Sequence, residues 1–153
     1  MRALELKIPP VGVFLLAGVA MWALARLLPA AELRLPAQPF VAAAFFIAAG
    51  IVGLAGIAAF RRQQTSVDPT RPDKATSLVV AGIYQWSRNP MYLGLLLLLT
   101  AWAVFLESAL ALLVLPAFIV YMNRFQIAPE ERALLDKFGQ SYTQYVEKVR
   151  RWL

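Results

Sequence analysis

Thirteen residues, Gly82-Ile83-Tyr84-Gln85-Trp86-Ser87-Arg88-Asn89-Pro90-Met91-Tyr92-Leu93-Gly94, gather an arginine, an asparagine, two tyrosines and a tryptophan just ahead of an uncharged run over 95–106. Pro90 lacks an amide hydrogen and presets its own φ, so it suits the first turn of a helix. Asn89 then falls at the N-cap, with a side chain able to take an orphan amide. A helix N-terminus with Arg88 immediately before it offers a carboxylate or a phosphate both a dipole and a guanidinium. The plainer account is an interfacial belt, with Trp and Tyr at headgroup level and Arg at the cytoplasmic end of a span. A second polar group follows at Asn123, Arg124, Glu130 and Glu131. The two acids can accept from an ammonium or from hydroxyls, and together with Arg88 they supply both signs that an amino acid zwitterion requires. Here the plainer account is an Arg–Glu pair that closes the chain on itself.

The rest of the composition limits the chemistry. The chain has 153 residues, 60% hydrophobic and 16% charged, a balance that belongs to the membrane rather than to a soluble domain. It contains neither cysteine nor histidine. Thiolate chemistry, imidazole bases and a protein-bound transition metal are therefore not expected. A net charge of +6 in such a chain reads as cytoplasmic anchoring, not as nucleic-acid binding.

The expected fold is all-α: a polytopic membrane protein forming one domain over 1–153, with about four spans and an amphipathic C-terminal helix. Residues 10–28 form an apolar run interrupted by Arg26, which can snorkel. With no clear small-residue cleavage site after it, this run is expected to remain as a span. Residues 40–60 carry no charge and make the clearest span; Gly50, Gly53 and Gly56 recur on one face, suited to packing against the first span or a second copy. Residues 61–77 read as a loop, with Asp68 to Pro72 a connector rather than a lid. Residues 77–88 suggest a short interfacial helix broken at Gly82.

The runs 91–106 and 109–123 are each short of the ~20 residues that a bilayer requires, and Glu107-Ser108 separates them. One continuous helix would bury Glu107 in lipid, so a hairpin turning at Glu107-Ser108 is expected, with Pro116 kinking its second arm. A new helix should start at Pro129, with Glu130 and Glu131 in its first turn, and Gly139 should divide it. Its apolar positions, among them Leu134, Phe138, Tyr142, Tyr145 and Val149, should lie along the membrane or cover the loop that carries Arg88. The hairpin ties the two polar groups together, since its arms begin at one and end at the other.

Taken in order, Gly82-x-Tyr84-x3-Arg88-Asn89-Pro90-x-Tyr92-x-Gly94, a hydrophobic hairpin, Glu130-Glu131 and Phe138-Gly139-x2-Tyr142-x2-Tyr145 resemble small bacterial members of the isoprenylcysteine carboxyl methyltransferase and phospholipid N-methyltransferase superfamily. The resemblance covers roughly residues 60–153, so that 61–153 would be the methyltransferase-like core and 1–60 two added spans. The usual family string is Arg-His-Pro-x-Tyr; Asn89 stands here in place of the histidine, and no role of that imidazole carries over.

The resemblance implies methyl transfer from S-adenosylmethionine to a lipophilic acceptor (a carboxylate, thiol or amine) reached from the bilayer, in the inner membrane. By motif position it implies a cofactor pocket lined by Tyr84, Arg88, Asn89, Pro90, Tyr92, Gly94, Arg124, Glu130 and Glu131, with Arg88, Tyr92 and Glu131 nearest the reacting atoms. No metal and no nucleic acid enter that reading, and the sequence leaves the oligomeric state open. Two other readings compete: an NADPH-dependent membrane reductase of related fold, and a non-enzymatic membrane scaffold that retains the motif. Binding of S-adenosylmethionine without NADPH separates the first of these, and methyl transfer to a lipid extract the second.

Thirteen of the fifteen lysines and arginines lie in 1–8, 61–90 and 124–153. Both termini and the site should therefore face the cytoplasm. A reporter fused to the C-terminus is expected to be active only when that end is cytoplasmic, and a periplasmic C-terminus would overturn the assignment.

Overall fold

The computed structural model describes residues 5–28, 32, 35–63 and 77–153. Asp68 to Pro72, expected to be a connector, and Arg34 lie outside the described residues. Among the described residues, seven α-helical pieces follow one another: α1 Pro10–Leu27, α2 Gln38–Arg62, α3 Pro90–Phe105, α4 Ala109–Leu112, α5 Val114–Tyr121, α6 Ala128–Phe138 and α7 Gln140–Lys148. A 3-10 turn, Gly82–Gln85, precedes α3, and a π-helical segment, Met122–Ile127, joins α5 to α6. The fold is polytopic and all-helical among the described residues. Pro10–Leu27, Gln38–Arg62 and the continuous stretch Ala109–Phe138 are long and apolar enough to cross a bilayer, while Pro90–Phe105 is shorter. Sixteen residues of helix reach about 24 Å, somewhat less than a ~30 Å hydrocarbon core.

The hairpin turns where the sequence places it. α3 ends at Phe105, Glu107 takes φ +51° in an exposed turn, and Ser108 caps α4 by accepting from the Ala111 amide at 3.3 Å. The same end of the molecule holds the link between α1 and α2. Glu32 bridges Ser108, and the Gln38 Nε2 donates to the carbonyls of Val104 and Phe105 at 3.0 and 3.2 Å. Pro116 has no amide to offer Leu112, and a single turn residue, Leu113, separates α4 from α5 in the otherwise helical second arm.

The core runs along the seam between α1, α3 and the second arm, with Met21, Leu99, Ala103, Ala111, Phe118 and Met122 buried. The indole of Trp102 donates to the Gly18 carbonyl at 3.1 Å. Large apolar side chains such as Leu15, Val19, Phe46, Ile51, Leu54 and Val120 point outward, the arrangement expected where lipid replaces water.

Part of the glycine face of α2, Gly53 and Gly56, packs on α3 of the same chain rather than on α1. A Cβ added at Gly94 would lie 3.2 Å from the Ala49 carbonyl and 3.2 Å from the Gly53 Cα, and one added at Gly56 would lie 2.9 Å from the Met91 side chain. Small residues on both helices let the backbones approach this closely, the usual means of packing helices in lipid.

Two local expectations are corrected. Residues 77–81 are not helical, and Gly82, at φ +63°, opens a 3-10 turn instead of breaking a helix. No free helix starts at Pro129: the chain stays helical from Val114 to Phe138. Continuity is possible because Phe125, the residue four before Pro129, finds another donor for its carbonyl in the Leu6 amide at 3.0 Å. Next to it, Gln126 is fully buried and its Nε2 donates to the Ile8 carbonyl, so the strap over 5–8 seals the π segment. Gly139, at φ +51°, does separate α6 from α7.

Gly94→Leu should lose about 1–3 kcal/mol or more of stability, because helix backbone rather than a movable side chain occupies the space. Gly50→Ala should be neutral or slightly stabilising, since nothing lies within 4 Å of its added Cβ. Thermal unfolding of the two variants in detergent tests this pairing; equal melting temperatures would reject the close α2–α3 contact.

Candidate functional site

The loop before α3 is built by its own polar groups. Ser87 is 1% exposed, and its Oγ accepts from the Asn89 amide at 3.1 Å. Pro90 fills the first helical turn and Asn89 occupies the N-cap, but the Asn89 side chain does not cap. Its Nδ2 donates instead to the Arg151 carbonyl at 2.9 Å. One residue earlier, the Arg88 amide donates to the Arg150 carbonyl at 3.0 Å. The chain beyond α7 thus leaves the helix in extended form at Val149 and runs back along the start of α3. Its Trp152 indole donates to Asn123 Oδ1 at 3.0 Å, tying the same segment to the hairpin's far arm.

The charged groups meet under this tail. Glu131 accepts from Arg151 through Nε at 3.1 Å and through Nη2, a bidentate clasp. It also forms a longer ion pair with Arg88, whose Nη1 lies 3.3 Å from Oε1. The Arg88 Nε is buried and has no hydrogen-bond partner. One turn into α3, the Tyr92 hydroxyl donates to Glu130 Oε1. The adjacent glutamates therefore have different tasks: Glu131 holds two arginines, and Glu130 faces a tyrosine.

Tyrosines from α7 close the cluster. The Tyr145 hydroxyl donates to the Tyr84 carbonyl at 2.7 Å, docking α7 on the 3-10 turn, and the buried Tyr84 ring meets Phe60 edge-on at 5.4 Å. Tyr142 is buried and hydrogen-bonded with Arg88; burial, reinforced by Glu131 and opposed by Arg88, pushes its hydroxyl up to about 12. Burial likewise raises Tyr145, against the pull of Arg88, and raises Tyr84, where Tyr145 and Glu130 add to the effect. These three phenols keep their protons at neutral pH; Tyr145 donates to the Tyr84 carbonyl, whereas Tyr142 accepts from Arg88, whose guanidinium can only donate. The hydrogen bond to Glu131 holds Arg151 in its charged form against its partial burial.

Of the residues expected in the pocket, Arg88, Asn89, Pro90, Tyr92, Glu130 and Glu131 converge at one end of the hairpin, with Tyr84 just beyond through Tyr145. Gly94 does not join them. It faces α2, and helix backbone fills the space beside it. Arg124 projects from the π segment, its guanidinium 5.8 Å from the Phe125 ring centre. Arg151 was not among the expected residues. Its signal was the terminal string Arg150-Arg151-Trp152, which reads equally well as an anchoring charge at a membrane face.

The sequence model of the phospholipid methyltransferase family matches residues 37–141. A protein of Haemophilus influenzae (strain ATCC 51907 / DSM 11121 / KW20 / Rd), described only as uncharacterised, is 54% identical over 63 residues, which is 41% of this chain and the whole of that protein. No solved structure matches. The family match spans the two packed helices α2 and α3, both arms of the hairpin and the cluster from Tyr84 to Glu131, and it covers well over half of the chain; the protein therefore belongs to the phospholipid methyltransferase family, as a membrane methyltransferase.

Proposed function

We propose that the protein transfers a methyl group from S-adenosylmethionine to a lipophilic acceptor that enters from the bilayer, with the site at the cytoplasmic face. The observation that supports this most is the meeting of Arg88, Tyr92, Glu130 and Glu131 where the hairpin begins and ends. A buried guanidinium Nε without an acceptor suits a carboxylate, because buried donors are rarely left unpaired. The amides of Met91 and Tyr92, at the start of α3, lack intrahelical acceptors and add to the same anion site.

In this reading Arg88 and those amides hold the carboxylate of the methionine end, and Glu130 accepts from its ammonium. Tyr92 borders the sulfonium, while Asn89 and Pro90 shape the wall. Glu131 serves the arginines. Bound there, the cofactor supplies an activated methyl group, and the chain's own contribution is largely positioning. An acceptor that is already anionic, a carboxylate or a thiolate, needs no base. An amine would have to lose its proton to a glutamate or water, since Tyr84, Tyr142 and Tyr145 stay protonated and histidine is absent. The anionic acceptor is thus the better match.

Arg88→Ala is expected to weaken binding of S-adenosylhomocysteine by roughly ten- to a hundredfold, the loss of a charge-assisted hydrogen bond, in calorimetry on detergent-purified protein. Glu107→Gln, at the far end of the hairpin, should bind as the parent does. Glu130→Gln should weaken binding more than Glu131→Gln. Parent-like affinity in Arg88→Ala and in both glutamine variants would place the cofactor elsewhere. A screen with labelled methyl groups over membrane lipid fractions then tests the transfer itself.

A further inference from the structure

Two guanidiniums share the Glu131 carboxylate at the centre of the site, and they share it unequally. Arg151 takes both oxygens of Glu131, whereas Arg88 makes a single longer contact with that carboxylate, donates to Tyr142, and keeps a buried Nε with no partner. A carboxylate beside two arginines would ordinarily engage either of them through a parallel pair of hydrogen bonds. Arg151 is held in place independently of that choice: its carbonyl is anchored by Asn89, and its neighbours by the Arg88 amide and by Asn123. We infer that Arg151 is a positioning residue that keeps Arg88 open to an anionic ligand by occupying both oxygens of Glu131. Without it, the released oxygen of Glu131 turns to Arg88, and the guanidinium is closed by its own neighbour. The tail then acts through Glu131 on Arg88 without touching the ligand. The identity of that ligand as the carboxylate of S-adenosylmethionine rests on the function proposed above.

This arrangement separates a positioning role from a direct or merely structural one, because removing the competitor should repair the loss. The experiment is calorimetric titration of S-adenosylhomocysteine into the detergent-purified parent, Arg151→Gln, and the double variant Glu131→Gln with Arg151→Gln, with melting temperatures recorded alongside. Arg151→Gln is expected to bind about ten- to a hundredfold more weakly. The double variant, which has no acid to close Arg88, is expected to bind within about threefold of the parent. Parent-like binding by Arg151→Gln overturns the inference, as does a double variant as weak as the single one. If the single variant does not fold, the double variant decides the question, since weak binding in a folded double variant also overturns it. A parent that binds no S-adenosylhomocysteine overturns the cofactor reading and this inference together, whereas parent binding with an unaffected Arg151→Gln overturns this inference alone.

Discussion

The ion cluster on Glu131 binds together three segments that the chain order keeps apart: the loop before α3, the start of α6 and the extended tail. Each member is partly sheltered, with Arg88 12%, Glu131 20% and Arg151 37% exposed in their side chains. At that depth the attraction is stronger than for a surface pair, but desolvation offsets much of it, and removing one partner costs more than the intact group contributes. The cluster is therefore better understood as fixing register than as supplying net stability. It acts beside the backbone hydrogen bonds that the tail makes with Arg88 and Asn89 and the docking of α7 through Tyr145, which hold the same segments together.

The other end of this assembly depends on a proline. Pro129 cannot donate to Phe125, and a helix leaving the membrane at that point would ordinarily stop or kink. The π segment Met122–Ile127 and the strap over 5–8 solve the problem together. The strap's Leu6 amide serves Phe125, while the buried Gln126 reaches the strap through Ile8. One continuous helix can then carry Glu130 and Glu131 directly out of the hairpin, with their directions set by the core beneath. A single turn of π-helix also rotates the helix beyond it, and such turns recur at functional sites. Just beyond it here, Glu130 meets Tyr92 and Glu131 meets Arg88.

The parts of this arrangement legible in the sequence were those governed by strong, local physical rules. Uncharged runs bounded by polar residues marked the helices, Glu107 marked the hairpin because a mid-span acid is costly, and Gly139 marked the break before α7. The proximity of Arg88 to the two glutamates also followed, since the hairpin's ends must lie together. The rest depended on long-range pairing. Nothing near Phe125 announces that an amide from the other end of the chain will take the role Pro129 vacates. Nothing in Arg150-Arg151-Trp152 distinguishes an anchoring charge from an arginine folded back onto Glu131. The partner of the glycine face was equally hidden, because Gly53 and Gly56 would suit any close neighbour, and only the fold selects Gly94 and Met91 of α3.

Asn89 shows how such pairing changes the meaning of a residue. As an N-cap it would accept from the helix amides, yet that side chain is turned away, and its Nδ2 holds the Arg151 carbonyl. The Ser87 hydroxyl serves the Asn89 amide instead. What the position needs here is a donor of fixed direction, aimed at the tail. An asparagine amide supplies that at any pH, as an imidazole ring nitrogen also could, and nothing in the contact requires a group that titrates. Asparagine in place of the histidine of the usual family string is thus consistent with the geometry: the side chain acts on the tail, the tail holds Arg151, and Arg151 sets the state of Glu131 and Arg88.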